Sequence, residues 1–120
     1  MNWNVSYMGK SLLKKAPENP AKNVVTIKKS DLLKKGSFII TFNKIDTSSN
    51  ITLMADDENR SGLMSWENIT RSVTISNANF KHLLANRKTI QFFYSAIPKD
   101  PAKAMLVRMR PIHVCTVMVE

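Results

Sequence analysis

Cysteine occurs once, at Cys115, glycine three times and proline five times in 120 residues. A single cysteine excludes an intrachain disulfide framework, so a chain of this size must hold itself together by burial alone. So few glycines and prolines exclude a low-complexity or linker-like chain. Long apolar runs are missing too. The longest nearly uncharged stretch, residues 111–119, is half of the roughly 20 residues that a membrane helix requires and suits a strand. The start, Met1-Asn2-Trp3-Asn4, has no charged segment leading into an apolar one, so no signal peptide is expected and the expected compartment is the cytoplasm.

The residues of site chemistry are equally sparse. A metal centre needs clustered His, Cys, Asp or Glu, and the close pair is His113 with Cys115. On a regular strand this spacing points both side chains to one face. Their neighbours Ile112, Val114 and Val117 read as core, so a buried thiol beside a satisfied imidazole is the better account. The same holds for a Cys–His nucleophile, because nothing nearby would orient the imidazole or form an oxyanion hole. The acidic run Asp56-Asp57-Glu58 lacks the alternating ligands and central glycine of a calcium loop and reads as a solvated hairpin tip. Neither a phosphate-cradling glycine loop nor a nucleophile elbow occurs. The chain is therefore expected to be no enzyme and to hold no metal and no cofactor.

What the chain does have is apolar residues in strand-like order. Its length fits one domain, residues 1–120, and 43% hydrophobic content supplies a core. Alternation marks strands at 1–8, 24–27, 37–44, 51–54, 63–66, 70–75 and 88–96, with a last strand or pair over 102–120. In 1–8 Trp3, Val5 and Tyr7 share a face. In 37–44 Phe38, Ile40 and Phe42 do, and in 88–96 Ile90, Phe92 and Tyr94. Residues 9–23, broken by Gly9, Pro17 and Pro20, read as a connector with one helical turn at 11–15. Ser30-Asp31 before Leu32-Leu33 predicts an N-capped single turn ended by Gly36. Residues 77–86 predict a helix whose stripe is Phe80, Leu83 and Leu84. The expected core is Phe38, Ile40, Phe42, Ile75, Leu83, Ile90 and Phe92.

These elements predict a mainly β fold, a compact β-sandwich or small barrel with two short helices. Two segments echo one another. Val25-Thr26-Ile27, Leu32 and Phe38, Ile40, Phe42 precede Val73-Thr74-Ile75, Phe80 and Ile90, Phe92, Tyr94 in the same order. The pattern suits a duplicated strand–helix–strand unit, although strand patterning alone would also produce it.

The charge is lopsided. The chain carries a formal +9, and the basic residues of its first 45 positions are all lysines. Such a field attracts polyanions or acidic surfaces, and a solubilising surface accounts for the same residues. The candidate polyanion-binding residues are Lys28, Lys29, Lys34, Lys35, Lys44, Arg108 and Arg110. Phe92 and Phe93 are adjacent and must point to opposite faces, so one of them needs a cover, which makes the pair a candidate interface. Two functions remain. One is a non-catalytic interaction or assembly module that self-associates or docks on a larger complex. The alternative is a single-stranded nucleic-acid-binding protein that uses the lysine-rich half. The partner is expected to be a second copy or another protein, with nucleic acid possible and no membrane. Lysines gathered on one concave face would favour nucleic acid, and lysines scattered around the rim would favour assembly.

Overall fold

The structure, a computed structural model, describes residues 1–106 and 110–120. Along them run β1 (Asn2–Tyr7), β2 (Lys10–Ala16), β3 (Val24–Ile27), a 3₁₀ turn (Lys29–Leu33), β4 (Ser37–Asn43), β5 (Ser49–Asp56), β6 (Gly62–Trp66), β7 (Ser72–Ser76), α1 (Asn77–Leu84), β8 (Thr89–Pro98), α2 (Pro101–Leu106) and β9 (Ile112–Val119). The strands form two sheets, β2-β1-β4-β7 and β3-β9-β8-β5-β6. The first is antiparallel throughout, and in the second β3 runs parallel to β9. The sheets face one another as a sandwich and do not close into a barrel. No described helix is long and apolar enough to cross a membrane.

Period-two patterning explains the strands. In β4, Phe38, Ile40 and Phe42 are buried while the residues between them are half-buried, and β1 buries Trp3, Val5 and Tyr7 in the same way. The inward aromatics meet those of the opposite sheet. Phe38 stacks on Phe92 with ring centroids 5.4 Å apart and planes at 21°. Tyr94 meets Trp3 edge-on at 5.6 Å and Phe42 at 5.4 Å. Trp3 also donates its indole N–H to the Val114 carbonyl at 2.9 Å, a buried bond between the sheets. Phe80 of α1 closes one end of this core, 5.3 Å from Phe38.

Of the expected core, Phe38, Ile40, Phe42, Ile75, Ile90 and Phe92 are buried. Leu83 is only half-buried and lies at the margin. The buried residues of α1 are Asn77, Phe80 and Leu84, a stripe from which Leu83 is rotated by about 100°. Asn77 is polar and buried: its amide NH2 donates to the carbonyls of Asp31 and Lys34 at 3.0 and 2.9 Å and so ties α1 to the 3₁₀ turn, while its Oδ1 meets no hydrogen-bond donor among the described residues. That turn forms where expected, but Lys28 precedes it and no side chain caps it. Ser76 does cap α1, accepting from the Asn79 N–H.

Two segments differ from expectation. Residues 10–16 form β2, not a connector with a helical turn. Met8 and Gly9 both have positive φ, 52° and 79°, as a two-residue hairpin turn of matching twist requires. β2 lies at a sheet edge and half its residues are solvated lysines and serine, so its pattern resembles a loop. Residues 101–106 form α2, where a strand was expected. Asp100 caps it through the Ala102 N–H at 3.0 Å, and Pro101 takes the first helical position that proline favours.

The two echoing segments follow matching paths. The first runs from β3, at the edge of its sheet, through the 3₁₀ turn to internal β4 of the other sheet. The second runs from edge strand β7 through α1 to internal β8 of the opposite sheet. The match is broken where β7 pairs directly with β4, whereas β9 lies between β3 and β8.

The packing makes a graded prediction. Phe38→Ala removes a ring held between two sheets and should cost about 3–5 kcal/mol, whereas Leu83→Ala, at the core's margin, should cost about 1 kcal/mol. Urea unfolding of both variants checks the contrast, and equal midpoints would contradict the assigned core.

Candidate interaction surfaces

The strand registers define two ends of the sandwich. Tyr7, Ser37, Ser76, Asp56 and Thr89 lie towards the α1 end, and Asn2, Asn43, Ser49 and Pro98 towards the end where α2 begins. This division separates the candidate cations. Lys28, Lys29, Lys34 and Lys35 surround the 3₁₀ turn at the α1 end, where Lys34 lies 3.0 Å from Asp31. Lys44 follows β4 at the opposite end. Arg110 is engaged within the chain, in a two-pronged contact with the Glu18 carboxylate at 2.9 and 2.7 Å. Arg108 lies outside the described residues.

Glu18 also accepts from the His113 backbone N–H at 2.9 Å. The Arg110 hydrogen bond and then this one hold its carboxyl down at about 2. The contact ties the 17–23 loop to the start of β9.

Phe92 points into the core and is fully buried. Phe93 points outward yet is 6% exposed. The Arg60 guanidinium lies 3.6 Å above its ring, and the His113 ring meets it edge-on at 5.3 Å. The cover that Phe93 requires is thus supplied by the chain itself, and neither ring presents surface to a partner. Arg60 is held there by Asp56 at 3.0 Å. The sequence offered no signal for this contact, because Arg60 sits in a polar loop remote from Phe93.

His113 and Cys115 do not share a face. Phe92 pairs with Cys115 and Phe93 with His113, so β9 carries an extra residue at this point, a bulge that resets the alternation. The Cys115 thiol faces the core beside Phe92, and complete burial pushes its pKa up. The His113 imidazole faces outward and meets the Thr116 hydroxyl at 2.8 Å. Burial lowers its pKa, against the attraction of Glu18. Among the described residues no group of three metal-ligating side chains converges.

The α2 end holds the feature that sequence reasoning missed. Two depressions of about 720 and 650 Å³ adjoin there, sharing Lys15, Asn43, Lys44 and Ser49 as walls. Arg71 and Lys99 extend the second, whose described lining includes no acid. Asp46 enters the first, with its carboxylate turned to the Ser48 N–H and hydroxyl at 2.9 and 2.7 Å. Those two bonds, and then Lys103 and Lys99, lower its pKa. The floor is an amide chain. Asn4 Oδ1 accepts from the Lys15 N–H at 2.6 Å, and Asn43 Nδ2 donates to Asn2 Oδ1 at 2.7 Å. Lys15 sits in a bulge of β2 with φ 47°, and Lys44 directly follows β4 with φ 57°. The four cations come from positions 15, 44, 71 and 99, so no charge run could announce them.

Beside this cleft stands α2, anchored through the Lys99 N–H to the Ser48 carbonyl at 2.9 Å. None of its residues is buried, and Met105 and Leu106 are 87% and 85% exposed. Comparison with known protein families, with curated proteins and with solved structures returns no match for this chain.

The Glu18 contact carries a pH prediction. Its carboxyl titrates near 2 when folded against an ordinary 4.5. The contact therefore stabilises the fold above about pH 4.5 and loses its effect as pH falls towards 2. His113 acts in the same direction from its ordinary 6.5 downward, since its folded form resists protonation. Melting temperature should fall as pH drops below about 6.5. The gap between parent and Glu18→Gln should be constant above pH 5 and close towards pH 2. A gap independent of pH would contradict the assignment.

Proposed function

We propose that this chain is a non-catalytic interaction and assembly module that docks through its α2 end, on a second copy or on another protein. The observation that carries the reading is α2 itself. Its Met105 and Leu106 project side by side into solvent from a helix with no fully buried residue, and adjoining exposed apolar side chains are a common mark of an interaction surface. Methionine adapts its shape to irregular contacts, which suits the role. The division of the lysines between two ends also favours assembly over a single polyanion track. The non-catalytic part of the reading draws support from the inert, core-facing Cys115 thiol and from the bulge that keeps His113 away from it. In this reading the working compartment is the cytoplasm.

The second reading, binding of single-stranded nucleic acid, draws on the cleft's four cations. Single-strand binders add exposed aromatic rings on which bases stack. The rings beside this cleft, Phe42 and Tyr94, are 3% and 8% exposed, which leaves the charges without a stacking surface.

Sedimentation velocity over a range of concentrations tests the assembly reading. The parent should associate, and Met105→Ser with Leu106→Ser should shift it to monomer at an unchanged melting temperature, because both side chains are already solvated. A parent that stays monomeric and is retained by no partner, or a double variant that associates as the parent does, would overturn the reading.

A further inference from the structure

We propose that the cleft at the α2 end is a receptor for an acidic peptide, an extended Asp/Glu-rich segment of a partner protein, with Met105 and Leu106 taking an apolar residue of the same segment. The inference rests on the interaction reading above and adds the chemistry of the partner.

Charge comes first. Lys15, Lys44, Arg71 and Lys99 line the two depressions, and the acid in their described lining, Asp46, is already engaged by Ser48. A concave surface carrying several like charges focuses its field on the space it encloses, so an anionic ligand is attracted and held there. Shape is the second consideration. Two adjoining depressions of about 720 and 650 Å³ that share the wall Lys15–Asn43–Lys44 make a trough for a chain, where a single phosphate would need one convergent pocket. Third are the uncharged donors and acceptors. Asn2, Asn4, Thr41 and Asn43 lie on the outer face at this end of the first sheet; with Asn4 Oδ1 and Asn2 Oδ1 engaged by Lys15 and Asn43, the amide NH2 groups of Asn2 and Asn4, Asn43 Oδ1 and the Thr41 hydroxyl are the groups suited to the backbone of an extended peptide. With no exposed aromatic ring among the described residues at the cleft, bases have nothing there to stack on.

The backbone holds two of these cations in place. Lys15 and Lys44 both occupy the left-handed region, which lysine adopts at a cost and which glycine or asparagine would occupy readily. Lys15 does so inside a strand, at a bulge, and the Asn4 side chain fixes it there. Both strained residues line both depressions. Met8, Arg60, Asn68 and Ala85 share this region elsewhere in the chain, so the strain by itself marks no ligand, but at Lys15 and Lys44 it fixes where two of the cleft's cations sit.

The same strain supplies a clean test. Lys15→Asn with Lys44→Asn removes two charges while installing a residue that favours the local backbone, so the fold should keep or raise its melting temperature. The probe is a labelled Asp/Glu peptide of about ten residues carrying one Leu, read by fluorescence anisotropy in low salt. Controls are its Asn/Gln counterpart and an oligothymidylate of equal length. The acidic peptide should bind and the neutral one should not, and the double Asn variant should bind roughly tenfold or more weakly, as expected for losing two charge-assisted contacts. Met105→Ser with Leu106→Ser should weaken the Leu-bearing peptide while leaving an all-acidic one unchanged. No saturable binding of the acidic peptide, equal binding by the Asn variant, or tighter binding of the oligothymidylate would each overturn the proposal. If the peptide fails to bind while α2-dependent association persists, the cleft assignment falls alone. If the peptide binds but the α2 variants associate as the parent does, the assembly reading falls alone.

Discussion

The contact on which this structure depends is the aromatic layer between its two sheets. Trp3, Phe38 and Phe42 from one sheet and Phe92 and Tyr94 from the other interlock edge-on or stacked, and Phe80 seals one end. With a single cysteine and hence no intrachain disulfide, these rings supply the large apolar areas that offset chain entropy in a small domain. They also set the relative position of the sheets, because a ring packed on its face and another on its edge tolerate little sliding. The indole N–H of Trp3 bonded to Val114 adds a directional tie, so the sandwich has a defined register as well as a greasy interior.

Departures from regular strand geometry shape the surface that this core supports. An extra residue in β9 turns His113 outward and leaves Cys115 inward, which dismantles the one pair of reactive side chains that lie close in sequence. It also places the imidazole beside Phe93, where Arg60 completes the cover. A bulge in β2 performs the opposite service for Lys15, lifting it to the rim of the α2-end cleft and leaving its backbone strained. The fold thereby retires one candidate site and constructs another from the same kind of irregularity.

The outcome is a molecule with chemically distinct ends. Lysines cluster around the 3₁₀ turn at the α1 end, while the α2 end combines a cationic trough with an apolar helix that touches little else. Polar attraction and apolar contact side by side are what the proposed protein partner would use: the first accelerates encounter and selects by charge, and the second slows dissociation.

The sequence by itself determined the mainly β class, the aromatic strands and a first set of core residues, because side-chain alternation with period two is a local property that burial on one face imposes. Phe38, Ile40, Phe42, Ile75, Ile90 and Phe92 are assigned inward on that ground alone and are buried. It was silent where pattern is weak or broken. β2 is a lysine-bearing edge strand with little to bury, and α2 was legible in Asp100-Pro101 followed by helix formers but was obscured by the apolar run beyond it. The site belongs to the tertiary structure. Lys15, Lys44, Arg71 and Lys99 are separated by up to 84 positions and meet only because β2, β4, β7 and β8 bring their ends to one edge of the sandwich. Alternation also placed His113 and Cys115 together, and a single bulge separated them. Local patterning reports which residues avoid water; which charges meet, and which side chains face each other, depends on register and long-range pairing that no short window of sequence contains.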